Sequence, residues 1–153
     1  STHRTWLAPQ PGGGWGKAKL QHAKKTYGPF AGGTINLWRG KSGRPLKDAP
    51  GDDTIAIAEG IEDALTVALG CPAWRVVAAV SVSNLAAIIL PEQLGDVVIV
   101  CQRDGENENV RRARDQAERQ WMEQGRSVRR AMPPEGFKDF NDWHQAQQRG
   151  AAA

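Results

Sequence analysis

Apolar residues in the last hundred positions of this chain gather in short runs separated by polar, helix-forming stretches. Small and branched apolar residues in runs of this length are typical of strands that are buried on both faces of a parallel sheet. Four such strands are predicted, at residues 54–58, 76–81, 96–101 and 127–132. Helices are predicted between and after them, at residues 61–69 and 84–89, from residue 107 or 109 to 123, and at 140–147. This alternation predicts right-handed β-α units, and hence an α/β fold with a four-stranded, mostly parallel sheet flanked by helices.

The first fifty residues follow a different pattern. Residues 3–9 and 34–38 alternate loosely between apolar and polar positions and are predicted to be strands. Glycine and proline mark a turn at residues 10–16, and residues 40–53 form a polar linker. We therefore expect a small antiparallel β element over residues 1–50, too poor in apolar residues to fold alone and packed on an α/β core over residues 51–150.

Two features of the predicted helices can be checked directly. Val110, Ala113, Ala117 and Trp121 recur at helical spacing, which predicts that Trp121 packs on the sheet. Asn84 is a favourable N-cap residue and is expected to begin the helix before Pro91.

Charge divides the chain unevenly. The total of +3 combines about +8 in residues 1–50 with about −5 in the remainder. A basic part beside an acidic part is consistent with a polyanion held near metal-binding carboxylates, although a solvated basic surface without a partner also explains it. Basic residues at five positions are candidates for contacts with nucleic acid: Lys17, Lys19, Lys24, Lys25 and Arg44.

Aromatic residues accompany the basic residues near the amino end. Trp15 and Tyr27 flank the lysines, as in grooves that follow a nucleic-acid backbone while aromatic rings stack on bases. The alternative is that both rings pack into a core.

The two cysteines, Cys71 and Cys101, form no C-x-x-C pair, so neither a zinc site nor a disulfide framework is predicted. Free thiols fit a reducing cytoplasm. No apolar run approaches the length of a membrane span. We expect the chain to be one domain of a longer protein.

Acidic residues follow the predicted strands where the chain leaves the sheet. Glu59 follows the first strand, Asp104 the third, and Asp139 and Asp142 the fourth. Carboxyl ends of parallel strands share one edge, where ligands of open α/β sheets bind. Carboxylates there suit Mg²⁺. Alternatively, Glu59 is a helix-start carboxylate favoured by the helix dipole, and Asn141 and Asp142 are only a helix cap.

Several short motifs, in this order, resemble the Toprim domains of phage and plasmid DNA primases. They are His-Arg-Thr-Trp-Leu at residues 3–7, Gly-Lys-Ala at 16–18, Glu-Gly-Ile-Glu-Asp-Ala-Leu at 59–65, Pro-Pro at 133–134 and Asp-Phe-Asn-Asp at 139–142. The resemblance implies nucleotidyl transfer with Mg²⁺ or Mn²⁺, in which Glu59 and Asp104 are catalytic and bind the metal together with Asp139. It also implies single-stranded DNA and nucleotides as partners, beside other domains of a parent protein.

One position departs from this family. Its third strand ends in Asp-x-Asp, whereas this chain has Gln102-Arg103-Asp104. Gln102 removes one negative charge and Arg103 adds a positive one, so we expect the metal to be weakly bound. Two functions remain open: a catalytic primase module, and a degenerate Toprim domain that binds nucleic acid or a protein without chemistry.

Overall fold

A computed structural model describes residues 2–103 and 108–151 of the chain. The chain forms two compact units, Ser1–Ala31 and Gly32–Ala153. The division between them therefore lies earlier than the boundary at residue 50 that the linker composition indicates.

The first unit consists of two small antiparallel ribbons. Strand β1 (Thr2–Thr5) pairs with β4 (Lys24–Tyr27), and β2 (Leu7–Pro9) pairs with β3 (Trp15–Lys17). The strand predicted over residues 3–9 is thus divided between two ribbons. It breaks at Trp6, whose backbone N–H donates to the carbonyl of Ala23.

The second unit is built on a five-stranded sheet in the order β5-β7-β6-β8-β9. Its strands are β5 (Ile35–Arg39), β6 (Thr54–Ala58), β7 (Arg75–Ala78), β8 (Asp96–Val100) and β9 (Ser127–Ala131). The four predicted core strands run parallel, which confirms the α/β prediction. Strand β5, expected within the amino-terminal element, instead pairs antiparallel with β7 at the edge of this sheet.

Helices cover both faces of the sheet. They are α1 (Ile61–Gly70), α2 (Glu108–Glu123) and α3 (Phe140–Ala151). One face packs against α2, where Trp121 is fully buried with the strand residues Ile57 and Ile99, as the helical stripe predicted. The other face packs Ala64 and Val67 of α1, with Phe140 of α3, against the alternate strand residues. No helix of the described residues is long and apolar enough to cross a membrane.

The helix predicted from Asn84 is wrong in type and in its cap. Residues Val82–Ala87 form a 3₁₀ helix, preceded by Ser81. Asn84 is buried inside it, where its side chain accepts from the N–H of Gly32 and donates to the carbonyls of Gly33 and Ala79. Asn84 does not cap the helix, because its side-chain amide is hydrogen-bonded to two loops that are distant from each other in sequence.

A buried ion pair lies at the end of the sheet where β6 and β7 begin. Asp53 is fully buried and Arg75 is 2% exposed, and the Nη2 of Arg75 is 3.0 Å from the Oδ2 of Asp53. Ser42 Oγ donates to the same carboxylate oxygen at 2.6 Å, and the Arg75 guanidinium also donates to the carbonyl of Arg44. This network fastens the polar linker to the first residues of the sheet.

Candidate metal and nucleic-acid site

The carboxyl ends of two central strands lie side by side. Strands β6 and β8 are parallel neighbours, with Ala58 in register with Val100. The chain leaves these ends through Glu59, which is half-buried, and through Gln102. Both residues therefore stand at one edge of the sheet, the edge at which ligands of open α/β folds bind.

Asp63, in the first turn of α1, is hydrogen-bonded to two other segments that meet at this edge. Its side chain is buried, and its Oδ2 accepts from Gln102 Nε2 at 3.0 Å. Its Oδ1 accepts from the backbone N–H of Asn141, also at 3.0 Å. One carboxylate thus joins helix α1, the segment after β8 and the start of α3.

Sequence reasoning did not assign Asp63 a role. A signal was present, because Asp63, Ala64 and Val67 share the buried side of α1. A carboxylate among apolar positions of a helix needs partners, since an unpaired buried charge is costly.

Opposing effects act on the pKa of the Asp63 carboxyl. Burial raises the pKa above its ordinary value of 3.8, and the hydrogen bonds from Gln102 and Asn141 lower it in part. The nearby carboxylates of Asp139 and Glu62 raise it further. Burial is the largest cause of the shift, and the two neighbouring carboxylates add to it.

Asp139 lies immediately before α3. Its Oδ1 accepts from the backbone N–H of Asp142 at 2.7 Å, and its Oδ2 lies 3.4 Å from Lys138 Nζ. The helix-cap alternative therefore applies to Asp139 rather than to Asn141 or Asp142. This carboxylate is already engaged, but it stands close enough to Asp63 to influence its pKa.

Asp104 lies outside the described residues, so the expected meeting of Glu59, Asp104 and Asp139 stays a prediction. Within the described residues, no group of three His, Cys, Asp or Glu side chains is arranged to hold a metal ion. Arg103 donates through Nε to the carbonyl of Pro133 at 2.8 Å, and its backbone N–H donates to the carbonyl of Lys138. The segment after β8 is thereby tied to the segment after β9.

The basic candidates divide between the two units. In the first unit, four lysines are exposed on or beside the ribbons: Lys17, Lys19, Lys24 and Lys25. Arg44, also exposed, belongs to the second unit.

The aromatic side chains beside these lysines are at the surface. Trp15 is 71% exposed and Tyr27 is 42% exposed, so the alternative that they pack into a core is wrong. The Tyr27 ring lies 5.1 Å from Lys25 Nζ and 5.4 Å from the guanidinium carbon of Arg4. This face of the β1–β4 ribbon combines positive charge with an accessible ring.

Comparison with known proteins gives one match. The sequence profile of the Toprim domain matches residues 54–151, which begin with strand β6 and end with helix α3. No curated protein and no solved structure matches the chain. The matched region covers well over half of the sequence and contains the parallel strands, the three helices and the acidic edge described above. The chain therefore belongs to the Toprim domain family.

Proposed function

We propose that this chain is the Toprim domain of a DNA primase or primase-helicase, acting in Mg²⁺-dependent nucleotidyl transfer on single-stranded DNA. Toprim domains occur in primases, topoisomerases and nucleases, so membership of the family leaves these activities open. The observation that carries the proposal is the meeting of α1, Gln102 and the start of α3 at Asp63, on the edge where Glu59 leaves β6. The primase-like motifs of residues 3–7 and 16–18 favour primase over the other two activities.

The donors at this edge have the right chemistry for a hard divalent cation. Glu59, Asp104 and Asp139 would hold Mg²⁺, or Mn²⁺, through carboxylate oxygens. When bound, the cation supplies positive charge to the phosphoryl oxygens of the reacting nucleotide. Gln102 contributes no charge and its amide is directed to Asp63, which fits a weakly held ion.

The remaining roles belong to side chains of this chain. In this proposal Glu59, which follows the central strand β6, acts near the growing end of the product or as a metal ligand. The exposed lysines of the first unit attract the phosphates of the template and contribute a salt-dependent part of the affinity. The Tyr27 ring is available for stacking on a base.

Titration calorimetry with Mg²⁺ and Mn²⁺ on the native chain and on Gln102→Asp tests the metal part of the proposal. We expect weak binding to the native chain and tighter binding to the variant, because a carboxylate is added beside the others. The metal-free variant should be less stable by about 2–4 kcal/mol, because a hydrogen bond to a charged group is replaced by repulsion between carboxylates. Unchanged Mg²⁺ affinity would contradict the metal assignment.

Primer synthesis is the direct test of the activity. The native chain is incubated with single-stranded DNA, nucleotides and Mn²⁺, and Glu59→Gln is the matched control because it keeps the shape of the side chain and removes its charge. Product from the native chain alone supports the proposal. Equal product from both proteins would remove Glu59 from the mechanism, and no product from either would favour the second candidate.

The second candidate is a degenerate Toprim domain that binds nucleic acid or a protein without chemistry. It is favoured by the hydrogen bond between Gln102 and Asp63. This bond joins an uncharged side chain to a charged one at this edge and needs no cation. This candidate predicts DNA binding that is indifferent to Mg²⁺ and to the substitution of Glu59.

A further inference from the structure

We propose that Asp63 is the positioning residue of this edge and that the amide of Gln102 is its dedicated partner, so that the start of α3 is held in place without a cation. The inference rests on the proposed function only in taking this edge as the active one. At position 102 the side chain differs from the family's aspartate in charge and also in carrying an NH₂ donor, which bonds to Asp63.

The geometry fixes which atoms of the pair donate hydrogen bonds and which accept them. The two oxygens of Asp63 both accept, one from Gln102 Nε2 and one from the Asn141 backbone N–H, each at 3.0 Å. A carboxylate has no proton to donate, so the Gln102 amide must turn its NH₂ group toward Asp63. An aspartate at position 102 has no such donor and would place a second negative charge against the first.

The bond to Asn141 reaches a group that its own helix leaves unsatisfied. Asn141 is the second residue of α3, and the first four N–H groups of a helix have no intrahelical acceptor. Asp63 accepts from this N–H, while Asp139 accepts from the N–H of Asp142. Two acids from different segments therefore accept from the first turn of α3.

A reciprocal exchange of charge tests the pair. Gln102→Glu sets two carboxylates against each other, and adding Asp63→Asn restores a donor and an acceptor with the polarity reversed. In the double variant, the side-chain carbonyl at position 63 can still accept from the Asn141 N–H, while the NH₂ group at position 63 donates to the new carboxylate at position 102. Glu62→Gln in the Gln102→Glu background is the matched control, because it removes one negative charge from the neighbouring residue of the same helical turn.

Amide hydrogen exchange of Asn141, measured by NMR on the full chain in EDTA and without nucleotide, gives the readout. Because that N–H has no partner within α3, its protection reports the bond to residue 63 directly. We expect Gln102→Glu to accelerate exchange about tenfold or more, and the reciprocal double variant to return it to within about threefold of the native rate. In the control double variant, Gln102→Glu with Glu62→Gln, the exchange of Asn141 should stay as fast as in Gln102→Glu alone.

Two results would overturn the proposal. If Gln102→Glu leaves the exchange of Asn141 unchanged, the amide does not hold Asp63. If Glu62→Gln rescues as well as Asp63→Asn, the effect is general charge relief rather than a specific pair. Neither result depends on metal binding or primer synthesis, so the proposed function and this inference can fail separately.

Discussion

Removal of the Asp53 carboxylate is the most informative perturbation of the fold. Asp53→Ala leaves the Arg75 guanidinium, which is 2% exposed, with an uncompensated charge at the end of the sheet where β6 and β7 begin. Loss of one partner of a buried ion pair typically costs about 3–5 kcal/mol, because the remaining charge is poorly solvated. Arg75 keeps two neutral acceptors, Ser42 Oγ and the carbonyl of Arg44, which place the expected cost near the lower end, at about 3 kcal/mol.

Urea unfolding followed by circular dichroism measures this cost. With a slope of about 1.5–2 kcal/mol per molar urea, a loss of about 3 kcal/mol lowers the midpoint by roughly 1.5–2 M. Asp53→Asn keeps an acceptor for Arg75 and should lie between the native chain and Asp53→Ala. The control is Asp52→Ala, which removes the neighbouring acid from an exposed pair with Lys41 and should leave the midpoint almost unchanged.

A midpoint shift for Asp53→Ala no larger than that for Asp52→Ala would contradict this prediction. That result would mean that water reaches Arg75 and screens its charge, and that the network with Ser42 contributes little to the stability of the second unit.

Three further predictions concern a backbone position, a titrating group and the surface of the first unit. Gly40 and Gly43 both have φ of 64°, but a Cβ on Gly40 would lie 2.8 Å from the backbone N of Arg75, whereas one on Gly43 meets nothing within 4 Å. Gly40→Ala should therefore lower the melting temperature clearly more than Gly43→Ala, and equal shifts would show that only the dihedral angle matters. The raised pKa of Asp63 means that the folded protein binds this proton more tightly than the unfolded chain, so its contribution to stability declines as pH rises from about 3.8 through the folded pKa. Asp63→Asn should flatten that part of a plot of urea midpoint against pH, and parallel curves would contradict the assignment. Tyr27→Ala should weaken binding of oligothymidine about tenfold in fluorescence anisotropy, and affinity should fall steeply with salt for both proteins. Affinity that does not respond to salt would exclude a phosphate-binding role for this unit.

Composition identifies the central strands of the sheet because those strands are buried on both faces. Thr54–Ala58 and Asp96–Val100 contain almost only small and branched apolar residues, and both are strands within one residue of the predicted bounds. Strand β5 shows the limit of such reasoning. Its alternation indicates a strand, but the choice of partner depends on the open edge of β7, which no local pattern encodes.

The candidate site also has one part that the sequence predicts and another that only the fold shows. The chain order of strands and acids predicts which loops share an edge, and the pairing of β6 with β8 confirms that their ends are neighbours. The contacts of Asp63 are not local, because Gln102 is 39 residues away and Asn141 is 78 residues away. Helical spacing indicates that Asp63 is buried, but only the fold shows which donors reach it.

The antiparallel position of β5 affects how this domain can be isolated. The part of the chain that matches the Toprim profile begins at residue 54, after both β5 and Asp53. A fragment cut at that point loses the outer neighbour of β7, and every residue of β7 is buried in the intact chain. The cut would expose a row of unpaired backbone N–H and C=O groups along an apolar strand, which is a template for aggregation, and would leave Arg75 without its carboxylate. The smallest fragment that keeps β7 paired on both sides therefore begins no later than Ile35.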